Sequence, residues 1–307
     1  MHHQRVYNKE PPRYFVMKTY FWTALVISLQ TLALDAQILR YQFNEGFGTT
    51  AASSGSVPDS LSLRDAFGNP TSGLWGASGS GVSGLPADRA LDLNSATGMG
   101  SGFVGPNAFL ASLSSASSLN QFTITGWFRS SATDLNRANL LMLRNGTNVL
   151  SLTGLSGGPI GARDRLRLII DGGQVDAAGN FESRWSTAGV WAFFAISYNG
   201  QSTTDTVRFY SGDVGTASSL STSSAASSIA FPFGGASLWI GANSSSSDPF
   251  KGFIDDIRLY DSVLTASGIE QVRLSAVPEP NSAALLIGGV ILRLLRRRMA
   301  AVNSTVS

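Results

Sequence analysis

Residues 238–272 read LWIGANSSSSDPFKGFIDDIRLYDSVLTASGIEQV and decide the fold. The part Gly252–Tyr260 is apolar and aromatic and follows a Ser-rich turn region, so it predicts a β-strand. Ser267 and Glu270 have the spacing of a capping box, in which Ser caps the first turn and Glu reaches back to it. We therefore expect a strand followed by a helix of one or two turns that ends by Leu274.

Working outward, similar short apolar runs recur along the chain between turns rich in Gly, Ser, Asn and Asp. The run 191–198 is apolar at nearly every position, as expected for a central strand that is covered on both faces. The Ser/Gly-rich stretches 53–84 and 211–228 are interpreted as long surface loops. Many strands without a long helical pattern predict an all-β fold of two packed antiparallel sheets. The predicted strands are 38–43, 90–93, 122–129, 139–144, 149–152, 165–170, 191–198, 206–210, 238–241 and 252–260.

Five segments, taken in order, resemble the laminin G-like family of concanavalin A-like jelly rolls. They are ALDLNSATG (90–98), FTITGWFRS (122–130), WAFFAISYNGQ (191–201), VRFYSGD (207–213) and the stretch 238–272. The resemblance covers about 38–274. It implies a two-sheet antiparallel jelly-roll sandwich, and we assign this domain to 37–276.

The N-terminal segment has the pattern of an export signal. From Met17 the chain has one positive residue, Lys18, then a mostly apolar run and a small residue, Ala36. This order is typical of a secretory signal peptide, which we assign to 17–36. Residues 1–16 are polar and are interpreted as an over-called extension. The alternative is a membrane anchor, although the apolar run is shorter than the ~20 residues of a spanning helix.

The C-terminal segment 277–298 combines a Pro-Glu-Pro tripeptide, a short apolar run and an arginine cluster. This order resembles the PEP-CTERM sorting signal of Gram-negative bacteria, and a tail, 299–307, follows it. The resemblance implies recognition by an exosortase-type transpeptidase, transient inner-membrane association through 283–295, and delivery to the cell envelope surface or an extracellular matrix. A plain C-terminal anchor is the alternative. The signal residues are Pro278, Glu279, Pro280, Arg293, Arg296, Arg297 and Arg298.

Composition narrows the available chemistry. The chain has no cysteine, and its two histidines, His2 and His3, precede the predicted signal peptide. A Ser-His-Asp triad and a zinc site built on His or Cys are therefore excluded from the body. The positive charge sits at the two ends and the body is slightly acidic, which argues against a nucleic-acid partner. The remaining enzymatic option is a carboxylate pair for glycoside hydrolysis, but we find no clustered pair.

The neighbouring acids Asp255 and Asp256 are the nearest approach to such a pair. Alternation along a strand places adjacent residues on opposite faces, so we expect these two to be separated. Asp255 then shares a face with apolar residues and points inward. A buried carboxylate must be hydrogen-bonded, paired or bound to a cation. Asp255 is predicted either to pin a loop through backbone N–H groups or to ligate Ca²⁺ together with Asp92 and Asn94.

Tryptophans offer the other candidate binding groups. Trp127, Trp191 and Trp239 lie in predicted strands and are assigned to the core. Trp75 and Trp185 lie in predicted loops and are candidates for a platform on which a sugar stacks. The sequence thus predicts an exported, non-enzymatic protein that binds carbohydrate or another extracellular polymer. The alternatives are a glycan-cleaving enzyme and a purely structural matrix component.

Overall fold

Apolar runs of period two build nearly all of the secondary structure that the computed structural model describes. The description covers residues 37–57, 60–65, 69–94, 102–104, 118–131, 138–155, 165–170, 173–176, 188–224, 231–241 and 250–278. The elements are β1 (Gln37–Tyr41), β2 (Thr50–Ala52), β3 (Ser60–Arg64), β4 (Leu91–Asp92), β5 (Gly102–Val104), β6 (Ser118–Leu119), β7 (Gln121–Ser130), β8 (Asn139–Asn145), β9 (Asn148–Leu155), β10 (Arg165–Ile170), β11 (Gly173–Asp176), β12 (Ala192–Asn199), β13 (Val207–Asp213), β14 (Ser219–Ser224), β15 (Phe231–Pro232), β16 (Ser237–Ile240), β17 (Gly252–Tyr260) and helix α1 (Ala266–Ala276).

The strands form two large antiparallel sheets. The first sheet has the order β1-β17-β7-β12-β13-β14, with β4 paired to β17. The second sheet has the order β11-β10-β9-β8-β16-β5-β3-β2, and β6 and β15 make a small separate ribbon. The predicted fold class, an all-β two-sheet antiparallel sandwich, is confirmed.

The main core fills the space between the two sheets. Leu39, Ile124 and Phe194 of the first sheet and Leu141 and Ile240 of the second are all at most 3% exposed and belong to one apolar cluster. Each such side chain contributes roughly 1.5–3 kcal/mol on burial. This cluster holds the sheets face to face.

A second apolar cluster covers the outer face of the first sheet. Trp127 and Phe193 from the central strands meet Ile269 and Val272 of α1 there. The first sheet is therefore buried on both faces, which confirms the prediction for 191–198. This outer layer also positions the cleft described below.

The helix begins earlier and ends later than predicted. Thr265, not Ser267, is the N-cap: its Oγ1 accepts the N–H of Gly268 at 3.1 Å. Glu270 does not complete a capping box, because its carboxylate accepts hydrogen bonds from Ser218 and Arg273. The helix runs to Ala276, since Val272 adds an apolar contact to the outer cluster in its last turns.

Two predicted loops contain strands. β3 lies in 53–84, where Leu61 and Leu63 alternate with polar residues and are fully buried. β14 lies in 211–228 and pairs with β13 at the edge of the first sheet. Both strands are rich in Ser and contain few apolar residues, so their sequences look like those of loops.

Several predictions for the ends of the chain fall outside the described residues. These are 1–16, the signal peptide 17–36, the apolar run 283–295, the arginine cluster and the tail 299–307. Of the Pro-Glu-Pro motif, Pro278 is described and exposed, whereas Glu279 and Pro280 are not described. Within the described part of the chain, no helix is long and apolar enough to span a membrane.

Candidate ligand-binding cleft

A β-bulge in β17 sets the geometry of the candidate site. The register with β7 shifts between Asp255 and Arg258, and Asp256 has a φ of 45°. Asp is one of the few residue types that tolerates this left-handed conformation. A bulge adds one residue to a strand and so inverts the alternation beyond it.

The bulge brings the two acids to one side of the sheet. Ile254 and Ile257 both pack into the core between the sheets, whereas Asp255 and Asp256 both line one cleft on the outer face. The prediction that these acids point to opposite faces is therefore wrong. Simple alternation fails here because the strand is not regular at Asp256.

Asp256 is the centre of a buried charge network. Its Oδ1 accepts a hydrogen bond from the Nε of Arg40 at 2.9 Å, and its Oδ2 accepts one from the Nε of Arg258 at 3.0 Å. Arg258 is 5% exposed and also donates to the Oγ of Ser275 in α1. The network ties β1, β17 and the end of the helix together. Both carboxylate oxygens of Asp256 are used in it.

Asp255 is held by backbone donors. Its Oδ2 accepts the N–H of Val82 at 3.0 Å, and its Oδ1 accepts the N–H of Asp256 at 2.7 Å. Burial raises the pKa of this carboxyl well above its usual range; the Val82 hydrogen bond opposes the shift, and the charge of Asp88 adds to it. This is the loop-pinning arrangement that the sequence predicts as one of two alternatives.

The geometry gives less support to the other alternative, in which Asp255 ligates Ca²⁺ together with Asp92 and Asn94. Asp92 lies opposite Phe253 and beside the guanidinium of Arg129. Burial lowers the pKa of Arg129, and the negative charge of Asp92 offsets part of this shift. The Oδ1 of Asp92 accepts both the backbone N–H and the side-chain amide of Asn94, each at 2.9 Å. Among the described residues, no three Asp, Glu, His or Cys side chains lie together as a metal group would require.

The cleft itself is polar at its floor and open to solvent. It has a volume of about 300 Å³ and lies between β1, the loop 83–88, the bulge and the end of α1. Leu85 adds an apolar wall that is 57% exposed. Several polar groups that line the cleft form no hydrogen bond with any other described residue. They are the Nη atoms of Arg40, the amide of Gln42, the Nδ2 of Asn44 and the Oδ1 of Asp88.

The predicted aromatic platforms are placed differently. Trp75 is half-buried: it packs against the main core, and its Nε1 donates to the carbonyl of Gly48 at 2.9 Å. Trp185 lies outside the described residues. Trp127 and Trp191 are buried as predicted. Trp239 is only half-buried, because it alternates with the inward residues Leu238 and Ile240.

The sequence reasoning did not identify the cleft residues on β1 and after it. Arg40, Gln42 and Asn44 alternate with the buried Leu39, Tyr41 and Phe43. That alternation was a usable signal for a polar face. Pro278, the first residue of the predicted sorting tripeptide, lies at the edge of the same cleft.

One solved structure shows the same fold, and two further ones are similar to this chain. Domain 4 of AbnA, a GH43 extracellular arabinanase from Geobacillus stearothermophilus, in complex with arabinotriose, matches with a TM-score of 0.53 and 18% identity, over 78% of this chain and 99% of that one. The botulinum neurotoxin serotype D binding domain matches with a TM-score of 0.48 and 12% identity, over 78% of this chain and 51% of that one. An arabinofuranosidase complexed with arabinofuranosyl-alpha-1,2-xylobiose matches with a TM-score of 0.49 and 11% identity, over 74% and 49%.

The sequence was also compared with curated proteins and with models of protein families. No curated protein matches the chain. A laminin G family model, described as the concanavalin A-like lectin/glucanases superfamily, matches residues 106–270. This stretch is more than half of the 307 residues. The chain therefore belongs to the concanavalin A-like lectin/glucanases superfamily.

Proposed function

We propose that the chain is a non-enzymatic carbohydrate-binding protein and that the cleft beside the Asp256 network is its binding site. The observation that carries this proposal is a set of side-chain groups on Arg40, Gln42, Asn44 and Asp88 around one open cleft that form no hydrogen bond with the described residues. Sugars are recognised by such convergent donors and acceptors, because each hydroxyl both donates and accepts a hydrogen bond.

The walls of the cleft suit a sugar in size and chemistry. A volume of about 300 Å³ lies at the small end of ligand sites and suits one end of a saccharide. The exposed Leu85 offers an apolar surface for the C–H face of a ring. Arg40 is held by Asp256, so it reaches the cleft without the entropy cost of ordering a long side chain.

The fold neighbour adds support for a sugar ligand. Domain 4 of the arabinanase has the same fold and was solved with arabinotriose. That finding concerns the arabinanase domain. It motivates arabino-oligosaccharides as the first probes for this chain.

A binding role is favoured over glycan cleavage by the state of the carboxylates. Glycoside hydrolysis needs one carboxyl group as acid and a second as nucleophile or base. Asp255 and Asp256 lie together, but all four of their oxygens accept hydrogen bonds from the protein. Each carboxylate oxygen is thus already engaged by the protein, which disfavours the two acids as a catalytic pair.

We further propose export and surface delivery. The segment 17–36 acts as a signal peptide, and 277–298 acts as a PEP-CTERM signal read by an exosortase-type enzyme in a Gram-negative envelope. The position of Pro278 supports this division, since the tripeptide begins directly after the last helix of the domain. The destination is the cell surface or an extracellular matrix.

The test is retention of the purified chain by a panel of insoluble polysaccharides and a glycan array, first in Ca²⁺ and then in EDTA. Gln42→Ala should abolish retention. Gln174→Ala, an exposed amide on β11 of the other sheet, is the matched control and should leave it unchanged. Retention in both buffers supports a Ca²⁺-independent site, and loss in EDTA supports the Ca²⁺ alternative. No retention in either buffer overturns the proposal and leaves a structural matrix role.

A further inference from the structure

Phe47 is an unusually exposed aromatic residue on the loop between β1 and β2. Its relative exposure is 79%, the highest among the large apolar residues of the described chain that remain exposed. Gly46 and Gly48 flank it, with φ values of 70° and 78°. An isolated apolar residue on a surface usually needs no explanation. Phe47 differs from such a residue because several contacts hold the loop that carries it.

The loop is fixed from several sides. The Oε1 of Glu45 accepts the N–H of Ala52 at 2.7 Å, and the indole of Trp75 donates to the carbonyl of Gly48 at 2.9 Å. A Cβ at Gly46 would lie 2.6 Å from the Nε of Arg89, so the Arg89 side chain packs directly beneath the loop. These contacts hold the backbone on both sides of Phe47 and so fix the point from which its side chain leaves the loop.

The loop is also continuous with the cleft. Asn44, which lines the cleft, lies three residues before Phe47, a separation of at most ~11 Å along the chain. The Oδ1 of Asn44 accepts the N–H of Arg89 at 2.7 Å, so the Phe47 loop is joined to the segment that forms the other cleft wall. The Phe47 ring and the cleft thus belong to one rigid surface.

We propose that Phe47 is a stacking platform for a second sugar unit, so that the site takes an oligosaccharide with one end in the cleft. This inference rests on the proposed carbohydrate-binding function and adds the length of the ligand to it. The occupant follows from the surroundings: an apolar ring stands among glycine backbone, the exposed hydroxyls of Thr49 and Thr50, and the amide of Asn44. A sugar ring has the same combination of an apolar face and a polar rim.

A protein partner fits this surface less well. Stable protein interfaces bury about 800 Å² on each partner and have an apolar centre. The residues beside Phe47 in sequence, from Asn44 to Thr50, include no other exposed large apolar side chain. A single ring with polar neighbours suits a small ligand.

The experiment measures affinity against ligand length. Binding of the full chain to arabino-, xylo- and cello-oligosaccharides of one to six units is followed by calorimetry for the wild type, Phe47→Ala, Phe47→Trp and Gln42→Ala. Leu220→Ala, which removes a 50% exposed side chain on β14, is the matched apolar control. Melting temperatures of all variants verify folding.

In the wild type we expect affinity to rise with length beyond the shortest ligand that binds. Phe47→Ala should remove this gain, weakening the longer ligands about 2- to 10-fold and leaving the shortest unchanged. Phe47→Trp should restore the gain, and Leu220→Ala should have no effect. The stacking proposal is overturned if Phe47→Ala binds every length as the wild type does while Gln42→Ala loses binding. If the wild type binds no probe, the carbohydrate function itself fails.

Discussion

Asp255 and Asp256 are neighbours in β17 and yet point to the same side of the first sheet. The left-handed φ of 45° at Asp256 produces this arrangement by inserting a bulge, after which Ile257 returns to the core. One acid pins the loop at Val82, and the other holds two arginines. The candidate cleft exists because the bulge places both acids on its floor.

The bulge can be tested through Gly126, which lies on the neighbouring strand. A Cβ at this position would overlap the Cδ1 of Ile257 and lie 2.9 Å from the Cζ of Phe194. We expect Gly126→Ala to lower the free energy of unfolding by about 1–3 kcal/mol through overpacking. Ile257→Val should recover part of this loss in the double variant, because it removes the overlapping methyl group.

Urea unfolding of both single variants and the double variant completes the cycle. Ile257→Val alone should cost about 0.5–1.5 kcal/mol. Strictly additive costs would show that Ile257 does not face Gly126 and would contradict the bulged register.

Asp256 should be a major determinant of stability. Asp256→Ala leaves Arg258 buried without its nearest anion, and we expect a loss of about 3–5 kcal/mol in the free energy of unfolding. Asp256→Asn should cost less, because Asn keeps an acceptor oxygen and tolerates the same φ. Asp261→Ala, at an exposed site one residue after β17, serves as the control and should stay within about 0.5 kcal/mol of wild type. A loss of less than about 1 kcal/mol for Asp256→Ala would count against the network.

Asp255 should make the protein less stable as the pH rises. Its folded-state pKa is raised mainly by burial, whereas the unfolded chain titrates near 3.8. Between these two values the folded state binds the extra proton, so the free energy of unfolding falls with rising pH until the folded pKa is passed. Asp255→Asn removes this contribution. Unfolding of both proteins at about pH 4 and about pH 7 checks it: a constant difference in free energy of unfolding between them would contradict the raised folded-state pKa of Asp255.

Glu270 should have the opposite effect. Its hydrogen bonds with Arg273, supported by Ser218, lower its pKa from 4.5 to about 2. The stabilisation is present above the unfolded pKa and is lost as the pH falls toward the folded one. Acid titration of the thermal midpoint should therefore show a steeper decline for wild type than for Glu270→Gln. Parallel declines would mean that the carboxylate does not hold α1 to the β13–β14 turn.

Much of the fold could be predicted because burial leaves a clear pattern in strands such as β10 and β12. Their alternation or continuous apolarity reports which faces are covered. The missed strands include β2, β3 and β14, which are short or Ser-rich. β2 and β14 also lie at sheet edges, where packing demands little of the sequence. Thr265 was missed as the cap because Gly268, not an acid, occupies the third helical position.

The candidate site was less accessible to sequence reasoning. Arg40 and Asp256 are 216 residues apart in the chain, and no local sequence pattern predicts their ion pair. The bulge leaves no mark on the sequence either, since Asp-Asp in a strand looks regular until a φ value is known. The outward position of Trp239, by contrast, followed from its alternation with Leu238 and Ile240 and was available from the start.

The central claim is that the cleft binds a glycan, and titration of the ¹⁵N-labelled chain with the retained oligosaccharide tests it most directly. Backbone and side-chain amide shifts should cluster at Arg40, Gln42, Asn44 and Asp88 and should extend to Phe47 for longer ligands. Shifts that cluster around Trp239 on the second sheet, or the absence of any shift at saturating ligand, would contradict the account.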